Sequence, residues 1–129
     1  MTTYVTSKSR IDTGKHYEAL AKDYLRQQGL TLHEHNYHSR FGEIDLIMFD
    51  QEVLCFIEVK FRKSNAFGGA ISAIPHAKQQ RIIKTAQCYI SSTPAIAQKP
   101  MRFDALILQL ESSLSDLNIE WIQNAFYAE

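Results

Sequence analysis

A carboxylate and an ammonium lie two residues apart in an apolar segment of the sequence. In the segment Phe56–Lys60, the side chains of Glu58 and Lys60 point to the same face if the segment is a β-strand, because side chains alternate along a strand. The same face carries the apolar side chains of Leu54 and Phe56. Burying the two charges there without partners would cost several kcal/mol, so we expect them to pair with each other, with another charge or with a metal ion.

A second acid, Asp45, lies in the preceding apolar segment. Residues 41–49 and 53–61 have strand length and are rich in Ile, Val and Phe, and the three polar residues between them predict a β-hairpin. A turn centred near residue 51 places Asp45 opposite a residue between Phe56 and Glu58, where facing Cβ atoms are about 4.5–5.5 Å apart. Asp45 and Glu58 could therefore hold one divalent cation, and oxygen ligands without thiolates favour Mg²⁺ or Mn²⁺ over zinc.

These residue types suit the hydrolysis of a phosphodiester. A hard cation held by two carboxylates neutralises the developing negative charge and lowers the pKa of a bound water. Lys60 would orient the attacking water or stabilise that charge. Glu18 is a fourth candidate, because it flanks the apolar stripe of the first predicted helix, although a solvent-facing acid fits the same periodicity. For the strand residues, the alternative is a buried ion-pair cluster that only fixes strand register.

The elements that must position these groups follow the order α-β-β-β-α-β-β. This order predicts an α/β fold with a three-layer core, in which helices flank one mixed five-stranded sheet. We expect residues 1–11 to form a flexible arm and residues 12–129 to form a single domain. The predicted elements are a helix over about Thr13–Gln28, strands over Leu30–Asn36, Phe41–Phe49 and Val53–Phe61, a loop over Arg62–Gly69, a helix from Pro75 to about Ser91, and strands over Arg102–Leu110 and Ile119–Phe126 around a Ser-rich turn.

Composition and the distribution of charge narrow the class of protein. Hydrophobic residues make up 45% of the chain and charged residues 22%, which is typical of a globular domain. Because the sequence has neither an apolar run of about 20 residues nor a secretory signal, we expect a cytoplasmic protein without a membrane contact. Cys55 and Cys88 are expected as reduced core residues, and Trp121 and the Phe and Tyr side chains as core rather than as base-stacking platforms.

The formal net charge of zero hides a basic middle and an acidic end. Between Val59 and Arg102 there are eight Lys and Arg residues and no Asp or Glu, whereas residues 104–129 hold five acids and no base. A basic region of this kind indicates a nucleic-acid partner, although a solvated helix face fits as well. The candidate contacts lie on the second helix and at the start of the preceding loop, and they are Arg62, Lys63, Lys78, Gln79, Arg81 and Lys84.

An ordered set of motifs then gives a resemblance over about residues 12–127. The segments Gly42-Glu43-Ile44-Asp45-Leu46-Ile47 and Phe56-Ile57-Glu58-Val59-Lys60-Phe61-Arg62 resemble the YraN-like family of bacterial proteins. That family resembles the restriction-endonuclease-like superfamily, with its D…(D/E)-x-K motif, and the archaeal Holliday-junction resolvases within it. Further matching positions are Gly14, Glu18, Asn36, Phe67-Gly68, Lys78, Arg102-Phe103-Asp104 and Asn124-Ala125-Phe126.

The resemblance implies roles for individual residues. Asp45 and Glu58 would be metal ligands, Lys60 the catalytic lysine, and Glu18 the acid of the superfamily's first helix. Tyr17 stands immediately before that glutamate, where members of the family often have a glycine. The implied cofactor is Mg²⁺ or Mn²⁺.

Three hypotheses for function follow from these observations. The first is a divalent-metal-dependent endonuclease acting on nucleic acid, with DNA favoured over RNA; a homodimer would bring two active sites to two strands, but the sequence shows no interface. The second is a non-catalytic nucleic-acid-binding module of the same fold. The third is a protein-interaction domain whose acids are structural.

Overall fold

The computed structural model describes residues 10–62, 74–110 and 117–128. The predicted order of elements is confirmed. Residues 1–9 of the expected N-terminal arm, the loop after Arg62 and the Ser-rich turn lie outside these residues, whereas residues 10 and 11, which were also expected in the arm, belong to the first helix. The elements are α1 (Arg10–Gln27), β1 (Thr31–Ser39), β2 (Gly42–Asp50), β3 (Val53–Arg62), α2 (His76–Ser91), a 3₁₀ turn (Pro94–Ile96), β4 (Met101–Leu110) and β5 (Leu117–Phe126).

The five strands form one mixed sheet, as predicted. Their order in space is β1-β2-β3-β4-β5, and β3 lies at the centre. All neighbours are antiparallel except β3 and β4, which run parallel. A parallel pair cannot be joined by a tight turn, and α2 lies in the connection between these two strands.

Each face of the sheet is covered by one helix, which gives the predicted three layers. On one face, α1 buries Tyr17, Ala21 and Leu25 at four-residue spacing, so that these side chains lie on one side of the helix. On the other face, α2 buries Ile82, Ile83, Ala86 and Tyr89. The β-strand alternation divides β3 between the two cores: Cys55 and Ile57 face α1, and Leu54 and Phe56 face α2.

A short turn sets the register of the β2–β3 hairpin. Gln51 and Glu52 connect the strands, and Gln51 takes a φ of 58°, which is typical of two-residue hairpin turns. Pairing runs from Asp50 with Val53 to Leu46 with Ile57. One further step in this register places Asp45 opposite Glu58, within the range that the sequence predicts.

The end of the sheet away from Asp45 and Glu58 is held by an ion pair between Arg102 and the buried Asp104. Asp104 is fully buried and accepts hydrogen bonds from Nε of Arg102 at 2.9 Å, Nε1 of Trp121 at 3.0 Å and the backbone N–H of Asn124 at 3.0 Å. Arg102 also donates to Asp50 at 3.1 Å. The ion pair therefore links β4 with both β2 and β5.

We expect Asp104→Ala to lower the free energy of unfolding by about 3–5 kcal/mol, because it leaves a buried guanidinium without its carboxylate. Urea unfolding of both proteins measures the difference. Glu52→Gln is the control: it removes an exposed ion pair to Lys99, so we expect little change. A loss below about 1 kcal/mol for Asp104→Ala would contradict the structural role of this ion pair.

A carboxylate cluster where two strands part

Strands β2 and β3 separate at Asp45, and this separation creates the candidate site. Their pairing ends at Leu46 and Ile57, while β2 stays paired with β1 and β3 stays paired with β4. At the next position, the backbone N–H of Val59 donates to Oδ2 of Asp45 at 2.9 Å. The carboxylate thus replaces a strand neighbour, which fixes its orientation in the gap between the strands.

The backbone around Asp45 also departs from regular strand geometry. Ile44 packs in the core beneath α2, whereas Leu46 packs in the core beneath α1, although two residues of a regular strand spaced in this way share a face. Asn36 lies opposite Asp45 on β1 and has a φ of 51°, a left-handed conformation that asparagine tolerates better than most residues. Because of this irregularity, side chains on the α1 side and on the α2 side of the sheet can both approach the carboxylate of Asp45.

Three carboxylates converge in the gap. One oxygen from each of Glu18, Glu43 and Asp45 lies within 4.8 Å of the other two. The amide of Asn36 satisfies two of them when its nitrogen faces the acids, because Nδ2 then donates to Glu18 at 3.0 Å and to Glu43 at 3.1 Å. This cluster, which we call the acid cluster, brings together groups from α1, β1 and β2.

Glu58 and two lysines lie beside the acid cluster, on the side of α2. Glu58 is only 5% exposed and forms an ion pair with Lys78. When protonated, the carboxyl group of Asp45 can donate a hydrogen bond to Glu58. Lys60 follows on the same face of β3, and its ammonium lies close enough to that of Lys78 to interact with it. The site therefore contains four carboxylates with two ammonium groups on one side.

Tyr17 fixes the position of Glu18. Its ring stacks on Phe61 with centroids 4.0 Å apart and an interplanar angle of 15°, which anchors the first turns of α1 to the end of β3. Tyr17, which immediately precedes Glu18, therefore contributes a contact between helix and strand. It leaves Glu18 turned towards Asn36, at the wall of a cavity of about 390 Å³ that is also lined by Lys15 and Lys22.

Burial and the proximity of like charges shift the pKa values of three side chains in the site. Burial, followed by the charge of Glu58, raises the pKa of Asp45 to about 8, while the N–H of Val59 acts in the opposite direction. Burial also raises the pKa of Glu18, and its bond from Asn36 lowers it. For Lys60, burial and the ammonium of Lys78 lower the pKa. Burial is the largest cause of each shift, and the smaller contribution from like charges is the part that a bound cation or phosphate would offset.

The donor set fits a hard divalent cation. Glu18, Glu43 and Asp45 supply oxygen only, and opposite ligands of an octahedral ion are about 4.2 Å apart when each bond is about 2.1 Å. Of three ligands of such an ion at most one pair is opposite and the other pairs are adjacent, about 3.0 Å apart, so oxygens that lie within 4.8 Å of one another would move closer together to bind it. A cation would also relieve the repulsion that contributes to the raised pKa of Asp45.

The remaining predicted residues are the candidate nucleic-acid contacts, and they differ in how close they lie to the site. Lys78 is a member of the site through Glu58, and Arg62 lies at the end of β3 beyond Lys60. Gln79 uses its amide nitrogen to donate to the carbonyl of Ile74 at 2.9 Å. Arg81 and Lys84 are exposed on α2, and Lys63 lies outside the described residues.

Two residues of the acid cluster were not among the predicted site residues. Glu43 stands in the Gly-Glu-Ile-Asp segment, and the alternation of a regular strand would place it on the same face as Asp45, but its proximity to Glu18 depends on the packing of α1 and on the amide of Asn36. Asn36 appears in the sequence only as a matching position. Its function as a hydrogen-bond donor depends on a left-handed φ that composition does not reveal.

The fold and the site define a three-layer α/β domain with an acid cluster at the parting of two central strands. Comparison with known proteins then places it in a family. The model of the Uncharacterised protein family UPF0102 matches residues 17–108, more than half of the chain, and the chain belongs to this family. The matched range includes Glu18, Glu43, Asp45, Glu58 and both lysines of the site.

Bacterial relatives match over nearly the whole chain. A UPF0102 protein of Alcanivorax borkumensis is 43% identical over 122 residues, covering 95% of this chain and 97% of the relative. One of Nitrosococcus oceani is 47% identical over 118 residues, covering 92% and 94%. One of Saccharophagus degradans is 44% identical over 115 residues, covering 89% and 92%.

Neither described helix combines the length and apolar character that crossing a membrane would require.

The raised pKa of Asp45 predicts how stability depends on pH. Because the pKa in the folded protein, about 8, lies above the ordinary 3.8, the folded state binds more protons than the unfolded state between these values. In the presence of a chelator, we therefore expect the free energy of unfolding to fall by at least about 1 kcal/mol as the pH rises from about 4 to about 8. Urea unfolding at a series of pH values measures this slope.

Asp45→Asn is the matched variant for this experiment. It keeps the shape of the side chain and cannot ionise, so the fall in stability between these pH values should become smaller. Asp23→Asn, which changes an exposed acid of α1, should leave the slope unchanged. A wild type and an Asp45→Asn variant with the same slope would show that Asp45 is ionised normally.

Proposed function

We propose that this protein is a divalent-metal-dependent phosphodiester hydrolase that acts on nucleic acid, with DNA as the favoured substrate. The observation that carries the proposal is the convergence of Glu18, Glu43 and Asp45 to within 4.8 Å, next to Glu58 and two lysines. Acids concentrated beside ammonium groups repel phosphate unless a cation binds among them, so the arrangement favours an enzyme over a simple phosphate-binding surface.

Glu18, Glu43 and Asp45 would hold the cation, with Glu58 as a further ligand or as the partner of Asp45. A bound divalent cation supplies Lewis-acid activation of the phosphodiester and of the attacking water. The protein contributes carboxylates that hydrogen bonds hold in fixed positions. The N–H of Val59 fixes Asp45, the amide of Asn36 fixes Glu18 and Glu43, and preorganised groups of this kind need little reorganisation during the reaction.

Lys60 and Lys78 would interact with the phosphate. Both lie at the side of the acid cluster that faces α2, and the pKa of Lys60 is lowered by burial and by Lys78. A bound phosphate would offset the repulsion between the two ammonium groups, because its negative charge attracts both. Lys60 would then stabilise the charge that develops on the phosphorus oxygens.

The basic region extends the site towards a polymeric substrate. Arg62 follows Lys60, and Arg81 and Lys84 continue along α2 from Lys78. No Asp or Glu occurs between residues 59 and 103, so an anionic strand meets no acid in this part of the sequence. DNA is favoured because the D…E-x-K pattern resembles that of the restriction-endonuclease-like superfamily.

The first test is cation binding and cleavage. We expect calorimetry to detect Mn²⁺ or Mg²⁺ binding by the wild type, and Asp45→Ala and Glu43→Gln to weaken it by about tenfold or more, because each removes one charged ligand. Cleavage of duplex, single-stranded and branched DNA and of RNA is assayed in parallel, and Asp45→Ala should reduce it by at least about 100-fold.

Asp23→Asn is the control for the loss of an acid, since Asp23 is exposed on the same helix as Glu18. A wild type that binds no divalent cation would overturn the proposal. Cation binding without cleavage of any substrate would favour the non-catalytic nucleic-acid-binding module.

The ion pair of Lys78 and Glu58 leads to a second test. Lys78 competes with a cation for the same carboxylate, so Lys78→Met should make Glu58 available and raise Mn²⁺ affinity, by about tenfold if the lost repulsion is near 1.4 kcal/mol. Lys84→Met removes an exposed lysine of the same helix and should leave the affinity unchanged. Equal affinities for both variants would exclude Glu58 from the cation site.

A further inference from the structure

The turn between β1 and β2 carries an aromatic ring among positive charges. Phe41, which the sequence suggests as a core residue, is instead half-buried beside this turn. The guanidinium carbon of Arg40 lies 4.8 Å from the centroid of its ring, and Nζ of Lys84 lies 5.6 Å from it. Both cationic side chains are exposed.

Hydrogen bonds fix this turn to α2. The hydroxyl of the buried Thr85 donates to the carbonyl of Arg81 at 2.8 Å, so it accepts from Oγ of Ser39 at 2.9 Å. Ser39 in turn accepts from the N–H of Phe41 at 3.0 Å. Gly42 follows with a φ of 154°, and a Cβ there would lie 3.6 Å from Cβ of Arg81. The ring of Phe41 is thus attached to a rigid support.

A cavity opens next to the ring. Its volume is about 650 Å³, which is within the range of small-ligand pockets. Among the residues that the structure describes, its lining combines one aromatic ring, one ammonium, hydroxyl and amide groups and a thiol, without a carboxylate. These residues are Phe41, Lys84, Gln87, Cys88, Ser91 and Ser92.

This combination matches the chemistry of a nucleotide. An aromatic face stacks on a base of any sequence, cations bind the adjacent phosphates, and hydroxyl and amide groups can hydrogen-bond to the sugar or to the base edge. Phe41 immediately precedes β2 and lies four residues before Asp45, so the two residues are at most about 13 Å apart along an extended chain. With a rise of about 3.4 Å per nucleotide, that distance spans about four nucleotides.

We propose that Phe41, Arg40 and Lys84 form a subsite in which a base of the bound strand stacks on the ring of Phe41 while its phosphates contact the two cations. The inference rests on the proposed function, because the strand bound here is the one that extends from the acid cluster. It adds a binding contact that acts on the polymer and takes no part in the hydrolysis itself.

The test compares a single-stranded oligonucleotide with an abasic strand of equal length and phosphate number. We expect the wild type to bind the base-containing strand more tightly. Phe41→Leu should lose about fivefold to more than 100-fold in affinity for that strand and little for the abasic strand, because leucine keeps apolar volume and cannot stack. Tyr127→Leu, which removes another exposed aromatic ring, is the matched control.

Two further variants test the phosphate contact of Lys84 and the aromatic ring at position 41 separately. Lys84→Ala should reduce the slope of log affinity against log salt concentration by about 0.7, whereas Lys99→Ala should not. Phe41→Trp should retain affinity, and its fluorescence should change when the strand binds. The wild type, whose only tryptophan is Trp121, provides the background signal. Because Phe41→Trp keeps an aromatic ring, it tests the subsite even if the leucine variant folds poorly.

The inference and the proposed function can fail separately. Hydrolysis of a small phosphodiester without a base, with Mn²⁺ present, reports the acid cluster alone and should be unaffected by Phe41→Leu. If this hydrolysis occurs but strand affinity does not depend on the ring at position 41, the subsite is wrong. If the small substrate is not cleaved but base-dependent binding requires Phe41, the hydrolase is wrong and the subsite stands. A change of oligomeric state in Phe41→Leu, without a change in strand affinity, would assign the surface to a second copy of the chain.

Discussion

The hydrogen bond from the N–H of Val59 to Asp45 replaces strand pairing at the point where β2 and β3 separate. Without that separation, regular pairing would continue past residue 45 and leave no gap for other acids. With it, the carboxylate of Asp45 is reached by Glu18 from α1 on one face of the sheet, and by Glu58 from β3 on the side of α2. The chemistry proposed for this protein therefore depends on a local break in the pairing of β2 with β3.

The surrounding residues compensate for the resulting concentration of negative charge. Asn36 donates to two carboxylates, and Lys78 pairs with Glu58. Even so, burial, followed by the charge of Glu58, raises the pKa of Asp45 to about 8. A site that keeps unneutralised acids together in the folded state gives up stability that a better-paired sheet would have, and such an arrangement is typical of functional sites rather than of structural ion pairs.

Much of this architecture could be predicted from the sequence, because strand alternation and helical spacing are local properties. The shared face of Glu58 and Lys60, the hairpin register near Asp45 and the two covering helices all follow from periods of two and 3.6 residues. The partner of Glu58 could not be predicted, since Lys78 reaches it from a separate layer. Glu43 lies on the same strand as Asp45, but its place in the acid cluster depends on Glu18 of α1 and on the left-handed φ of Asn36 on β1, which one strand alone does not reveal. Phe41 is half-buried at the turn between β1 and β2, beside two cationic side chains, and its residue type alone does not reveal this position.

The topology also determines the order in which the site can be assembled. The β2–β3 hairpin is local in sequence and can form early, whereas the parallel pairing of β3 with β4 must wait for α2 to cross the sheet. Glu18 reaches the cluster only after the first helix has docked through Tyr17 and Phe61. A nascent or partly folded chain consequently presents two of the three clustered acids on one strand and lacks the third. Any ion that requires all three ligands would be captured late, and would select molecules whose layers are already closed.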